Sequence, residues 1–432
     1  MNQHPKSYAI MFTSSGKTRL RGPATLVAAA LLLTVQSCGS DSSRAALTQQ
    51  PAPSTTTVTT SPRSAASTVP TSAASPADTS PATAANSAPL HGPLPTSAID
   101  QQTAARLQSA LDKVVADGAP DAIAAVITPD GTWAGASGTD GPNARAATAA
   151  DKFAIASVSK TFTAALILRL VEQGKMNLDH PLSDYLDGVA ADTNNATVRQ
   201  TLEMRGGFGD TASTVFDEVY ASPSRVWTTA DVVSKIGAPL TPAGTEFHYS
   251  NPGYKLLGIA AQHATGKTMG STMADAVLDP VGASGIVMQD ADHLTAQPWA
   301  LPLSGSEGPL ALASYGDGGA LPCLSDATFS LNAAGMSSDA ASLARWGWQL
   351  FSGQILQPQS LATMMTFDTD GNGVGVDKIT DFGVTAYGHA GSKPGYASLL
   401  TVFPDTNTVI VTFINNKDAD VFSATGKLLQ AL

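Results

Sequence analysis

A serine and a lysine three residues apart, Ser157 and Lys160, open the apolar stretch "DKFAIASVSKTFTAALILRL" (151–170). On a helix that spacing puts both side chains on one face, close enough to share a proton. A lysine among apolar neighbours is costly unless something there uses it. Desolvation also lowers its basicity, until it can accept a proton near neutral pH. At a helix start the serine meets unpaired backbone N–H groups and the positive end of the dipole, both favourable to a developing oxyanion. The pair therefore suits a nucleophilic alcohol with a built-in base. The spacing is not rare: Ser14 and Lys17 repeat it in the leader, where nothing gives it a use.

Two more segments supply a context. "FHYSNPGY" holds Tyr249, Ser250 and Asn251, and "YGHAGSKPGYASLLTVFP" holds His389, Ala390 and Gly391, then Ser392 and Lys393, just ahead of a strand-like run. Taken singly, Tyr249 reads as a buried tyrosine with a satisfied hydroxyl and His389 as a strand-end histidine. Taken together and in order, "SVSK", "YSN" and "HAG" resemble the signatures of the penicillin-recognising serine hydrolases. That family includes class C β-lactamases, D-Ala-D-Ala carboxypeptidases and related esterases, with Ser-x-x-Lys, Tyr-x-Asn and Lys- or His-x-Gly in this sequence order. The likeness spans most of 98–432.

The resemblance implies roles. Ser157 is the acylated nucleophile; Lys160 and Tyr249 share general-base and general-acid duty, the lysine's charge lowering the phenol's pKa. Asn251 binds the amide side of the substrate and helps hold Lys160. His389 orients a substrate carboxylate or relays protons, Gly391 keeps the strand face clear for substrate, and the N–H groups of Ser157 and Ser392 form the oxyanion hole. Lys393 begins a second Lys-x-Gly, but the layout "HAG-SKPGY-ASLL" puts the motif at His389 and Lys393 at the pocket rim. His in place of Lys in the third motif leans toward a carboxypeptidase-like enzyme or an esterase. One segment departs from the family: "TVRQTLEMRGGFG" has Met204 and Arg205 where many relatives carry Ser and His. The rival reading is a catalytically degenerate cell-envelope binding protein on the same fold.

No metal or cofactor is expected. "DTDGNGVGVDKI" (368–379) opens like a calcium loop with Asp368, Asp370, Asn372 and Gly373, yet Ile379 stands where a bidentate glutamate belongs. Turns favour the same residue types. His180, His248, His263 and His293 show no metal-ligand spacing.

Around these segments the periodicity sets out the elements. "AIDQQTAARLQSALDKVVAD" (98–117) is helical, and "AIAAVITPDGTWAGASG" (122–138) reads as a hairpin turning at Asp130-Gly131. A mostly helical middle follows, with "HPLSDYL", "NATVRQTLEM", "TTADVVSKIG", "NPGYKLLGIAAQHATG" and "TMADAVLDPVG" as candidates. "SSDAASLARWGWQLFSG" (337–353) starts on a cap and ends at glycine. "YASLLTVFP" and "TNTVIVTFINN" return to β patterning across Asp405-Thr406-Asn407, and "DADVFSATGKLLQAL" closes as a helix. The fold class is α/β (α+β), a β-lactamase/transpeptidase-like antiparallel sheet flanked by helices and built from both ends of 98–432. An all-helical lobe is inserted over about 175–330.

The front of the chain reads as packaging. With 43% hydrophobic but only 14% charged residues, the composition is globular material diluted by low-complexity sequence. Residues 1–21 hold Lys6, Lys17, Arg19 and Arg21 and no acid, and "ATLVAAALLLTV" (24–35) has the length of a secretory h-region, too short for a span. "VQSCGS" resembles a bacterial lipobox, implying a signal peptide over 1–37 and a lipid on Cys38. Residues 38–97, nearly all Ser, Thr, Ala and Pro past the cysteine, form a disordered tether with a reach of roughly 45 Å. Acylation of Cys38 leaves Cys323, the second of the two cysteines, without a disulfide partner. The protein is thus expected on the extracytoplasmic face of a membrane, acting on a small molecule or a peptidoglycan peptide. Cleavage removes four basic residues and no acid from a chain already at −11, and no basic cluster or stacked aromatic pattern suits nucleic acid.

Overall fold

A computed structural model describes residues 88–140, 145–222, 224–290, 324–416 and 418–432. Its strands are β1 (Asp121–Thr128), β2 (Gly131–Asp140), β3 (Arg145–Ala146), β4 (Phe153–Ala154), β5 (Ile286–Met288), β6 (Met336–Ser338), β7 (Asp377–Ile379), β8 (Ala386–Lys393), β9 (Tyr396–Phe403) and β10 (Thr408–Ile414). The helices before the middle are α1 (Gln101–Ala116) and α2 (Ser159–Glu172). Those of the middle are α3 (Val198–Leu202), α4 (Ser213–Ala221), α5 (Thr229–Val233), α6 (Asn251–Thr265), α7 (Met269–Met273) and α8 (Leu324–Ala334). The last three are α9 (Ala340–Phe351), α10 (Pro358–Met364) and α11 (Val421–Ala431).

The main sheet has the order β3-β2-β1-β10-β9-β8-β7, so its centre joins the first strand of the body to the last. β1 and β10 run antiparallel with Ile123 opposite Phe413 and Ile127 opposite Val409. The hairpin at Asp130-Gly131 closes as the sequence suggests, Thr128 facing Gly131. The β9–β10 turn closes on Asn407 in the left-handed region (φ 50°), a conformation asparagine tolerates better than most residues. Side chains alternate between two cores. Ile123, Ala125, Ile127, Val409, Val411 and Phe413 join the large core with α2 and α9, while Ala122, Ala124, Val126 and Ile410 meet α1 and α11 through Leu107, Leu111 and Leu428. Both faces are covered, which is why β10 is buried at every position and reads as an unbroken apolar run. Each valine, isoleucine, leucine or phenylalanine among them, removed from water, contributes about 1.5–3 kcal/mol.

The middle departs from an all-helical lobe. β5 lies within the range read as helical and pairs with β6, which pairs with β4 in a second, three-stranded sheet. Three residues, Ile-Val-Met, are too few to show an alternation, so the pattern could not announce this strand. The body also begins before residue 98. Leu90 is 1% exposed and its N–H donates to Phe351 O (3.2 Å), while Asn407 bonds the backbone N–H and carbonyl of His91. One leucine in a proline-rich stretch carries no periodicity. Cys38, the leader, residues 39–87 and Cys323 lie outside the described residues. Among the described residues no helix is long and apolar enough to cross a membrane.

Candidate active site

Ser157 does not sit in α2 itself but in a one-turn 3-10 helix, Ala156–Val158, that feeds it. Ala156 is held at φ 46°, a left-handed conformation that costs a non-glycine residue about 1–2 kcal/mol. The surroundings hold the turn in place. Ile155 N–H donates to Met336 O (3.0 Å), Val158 N–H to Ile155 O (3.1 Å), and Ser398 Oγ donates to Ile155 O (2.9 Å). Strand β8 lies directly against the turn at Gly391. A Cβ there would stand 2.3 Å from Ile155 O, 2.4 Å from Ser398 Oγ and 3.1 Å from Ser157 N. Gly391 therefore clears space first for the protein's own nucleophile turn, a nearer reason than the room for substrate that sequence suggests.

Lys160 is fully buried in the first turn of α2. Its Nζ lies 3.1 Å from Ser157 Oγ, 2.7 Å from Asn251 Oδ1 and 3.0 Å from Ala333 O. Desolvation pulls its pKa down to about 7; Asp210 and Asp377 oppose the fall, and Lys393 adds to it. In the neutral amine, two N–H bonds to Asn251 and Ala333 leave the lone pair facing the serine hydroxyl. The side chains thus give Ser157 a proton acceptor whose orientation is set from two sides.

Tyr249 is half-buried, with Lys160 Nζ 4.8 Å from its ring centroid and its hydroxyl on the side of Ser157. Burial pushes the phenol's pKa up, the influence of Ser157 opposes this, and Asp210 and Asp377 raise it further. This corrects the sequence reading, in which the lysine's charge lowers the phenol. A lysine itself titrating at about 7 supplies little fixed charge, and the carboxylates and desolvation outweigh it. Tyr249 is accordingly a neutral hydroxyl donor. His389 is 5% exposed, 6.4 Å from the Tyr249 ring centre to centre, and its Nδ1–H donates to Ala390 O (2.5 Å). Burial lowers its pKa, and Lys160 reinforces this against Asp377 and the Ala390 carbonyl. The imidazole is therefore held neutral with Nε2 as an acceptor, which suits proton relay better than charge pairing with a carboxylate.

Residues 100–432 match the Beta-lactamase family. The chain belongs to that family. Its fold is the β-lactamase/transpeptidase-like fold of serine hydrolases. It is similar to the solved structure of a D-stereospecific amidohydrolase from Streptomyces sp., with 25% identity and a TM-score of 0.63 over 74% of this chain and 97% of that one. A D-amino acid amidase from Ochrobactrum anthropi SV3 shares the fold at 22% identity and a TM-score of 0.64, over 76% and 98% of the two chains. A penicillin binding protein from Bacillus halodurans shares it at 20% identity and a TM-score of 0.62, over 76% and 99%. Among curated proteins, a putative fimbrial assembly protein FimD from Dichelobacter nodosus is 32% identical over 129 residues, 29% of this chain and 32% of that one. Protein flp from Staphylococcus aureus (strain NCTC 8325 / PS 47) is 28% identical over 134 residues, 30% and 26% of the two. The matched stretch spans about a third or less of these curated relatives.

In this beta-lactamase-family site Asn251, which the sequence did mark, is joined by residues that left no mark there. Asn251 is the first residue of α6, set by the Ser250 cap, whose Oγ accepts from Gly253 N–H (3.0 Å). Its Nδ2 donates to Asp210 Oδ1 (2.8 Å), so the amide is turned with Oδ1 toward Lys160. Asp210 lies in a loop, "GGFGD", with no spacing to mark it. Asp377, whose charge acts on Lys160, Tyr249 and His389, falls inside the segment weighed as a calcium loop. That segment opens as a turn in which Asp368 Oδ1 accepts from the N–H groups of Asp370 and Asn372 (both 2.9 Å), and it ends in β7. Among the described residues no group of three or more His, Cys, Asp or Glu could hold a metal ion. Lys255, one turn beyond Asn251 on the same face of α6, is buried over the Phe329 ring (3.3 Å to its centre); desolvation lowers it to about 7.

Two sequence readings change. Lys393 is not at a rim: it is 8% exposed, and its Nζ bonds Asp326 Oδ2 (2.5 Å) and Ala334 O (3.1 Å). Lysine's long apolar stem allows this once a buried carboxylate meets the ammonium. The segment that departs from the family is bonded to the chain just ahead of Tyr249. Met204 is buried at φ 55°, its carbonyl accepts from His248 N–H (2.9 Å), and Arg205 O accepts from Gly244 N–H (2.7 Å). The Arg205 guanidinium pairs with Asp368 (3.3 Å). Ser392 is half-buried on β8 opposite Ala397, beside the nucleophile turn.

Proposed function

We propose that this protein cleaves amide or ester bonds through an acyl-enzyme on Ser157, as D-Ala-D-Ala carboxypeptidases, D-amino-acid amidases and β-lactamase-related esterases do. The observation that carries the reading is the buried Lys160 amine, lowered to about 7 and 3.1 Å from Ser157 Oγ. Ser157 loses its proton to Lys160 Nζ as Oγ attacks the carbonyl carbon. The N–H groups of Ser157 and Ser392 meet the oxyanion. Tyr249 then gives its hydroxyl proton to the departing amine or alcohol and recovers one from the Lys160 ammonium. Water, activated by the same pair, releases the acid and frees Ser157. The fold likeness to D-stereospecific amidohydrolases favours acyl donors of D configuration.

We place the enzyme at the cell surface, held by a lipid on Cys38 at the end of its Ser/Thr/Pro-rich tether, where peptidoglycan peptides are within reach. Labelling with a fluorescent penicillin or a fluorophosphonate, wild type beside Ser157→Ala, tests the chemistry. Signal confined to the wild type is expected; equal signal from both returns the molecule to a non-catalytic binding role. Parallel hydrolysis of a D-Ala-D-Ala peptide, nitrocefin and a p-nitrophenyl ester sorts the substrate class.

A further inference from the structure

Three side chains read the last carbonyls of α8. Asn332 O accepts from Thr163 Oγ1 (2.7 Å), Ala333 O from Lys160 Nζ (3.0 Å) and Ala334 O from Lys393 Nζ (3.1 Å). The helix cannot fix these carbonyls by its own ladder, because Leu331 breaks it at φ 45°, ψ −147°. At its other end Asp326 accepts from Lys393 Nζ, from Tyr220 OH (3.2 Å) and from Ser330 Oγ (3.1 Å). One lysine from β8 therefore spans the break, bonded to the first turn and to the last residue. Lys393 also shares one face of β8 with His389 and Gly391, so the strand that carries the third motif is tied to the helix end whose Ala333 carbonyl accepts from the first motif's lysine.

We infer that Lys393 is a positioning residue, clamping Asp326 and the Ala334 carbonyl across the break in α8 so that the neighbouring Ala333 carbonyl holds Lys160 against Ser157. The inference rests on Lys160 being the base proposed above. Charge acts in the same sense as geometry. Asp210 and Asp377 raise Lys160, Lys393 lowers it, and Lys255, His389 and the rings of Tyr249 and Tyr254 also face it. Loss of Lys393 withdraws a cation and leaves Asp326 without its ion-pair partner, so Lys160 should hold its proton to higher pH.

The test uses the full chain with Lys393→Met, Lys393→Arg and the double variant Lys393→Met/Asp326→Asn. Two quantities are followed: the pH profile of acylation, and the titration of Lys160 by 13C NMR of lysine-labelled protein, assigned by difference from Lys160→Arg. For Lys393→Met the acid limb should move up by about one pH unit. The rate at pH 7 should then fall about fivefold, with KM within about twofold. Lys393→Arg should stay within about threefold of wild type because it keeps the charge. If the single variant does not fold, the double variant, free of the buried carboxylate, should still titrate Lys160 above wild type, by less than the single change would. A folded Lys393→Met protein whose Lys160 titrates as in wild type overturns the inference, as would Met and Arg variants equally impaired. The NMR titration needs no substrate. Absence of wild-type acylation would therefore defeat the hydrolase reading while the Lys393 result still stood or fell by itself.

Discussion

Lys160 illustrates how a residue's surroundings decide its chemistry. The same side chain in water would be an ammonium at neutral pH; buried here it sits near its midpoint at about 7. Its three oxygen neighbours come from three elements, so no local sequence window contains the surroundings that make it a base. Asp210 has two effects on it. The carboxylate orients Asn251, and its negative charge raises Lys160. Asp210→Ala should therefore slow acylation about tenfold at high pH through a loosened Asn251. The same change should move the acid limb to lower pH, because a charge favouring the ammonium is gone. A limb moving upward would show that Asp210 does not face the base.

At the scale of elements, what was legible follows pattern length. Long alternating or helical runs such as β1, β10, α1 and α6 announced themselves, and the three motifs sit on or beside elements of that kind. Short pieces did not. The Ile286–Met288 strand, the 3-10 turn holding Ser157 and the break at Leu331 are set by partners distant in sequence. Asp326 is an acid in a helix until Lys393 arrives from β8, and Lys393 looks like a rim residue until Asp326 is seen. Leu90 belongs to the same class, a single apolar residue docked beside Phe351 far along the chain. Leu90→Ala should destabilise the body by about 2–5 kcal/mol, read by denaturant unfolding. A change within about 0.5 kcal/mol would mean that the segment before α1 is not part of the core.

At the scale of the whole molecule, the sheet joins the two ends of the catalytic body and the helical middle returns to it. Ser157, Tyr249 and His389 reach one cleft because α2, the α6 entry and β8 border the same junction. The three-stranded sheet stitches that junction, since β4 runs directly into the nucleophile turn and β6 accepts Ile155 N–H through Met336 O. Such a site is held from several elements at once, and its acidity is set by burial together with the carboxylates and lysines around it rather than by any one neighbour. The central claim is that a neutral Lys160 takes the Ser157 proton. Its most direct test is the second-order rate of Ser157 acylation as a function of pH, followed by intact mass. Because burial depresses the lysine, the rate should be lost as pH falls through about 7 and level off above it; Lys160→Ala should reduce the plateau by about 10²–10⁴-fold. A rate flat across that range, or one unchanged in Lys160→Ala, would contradict the account.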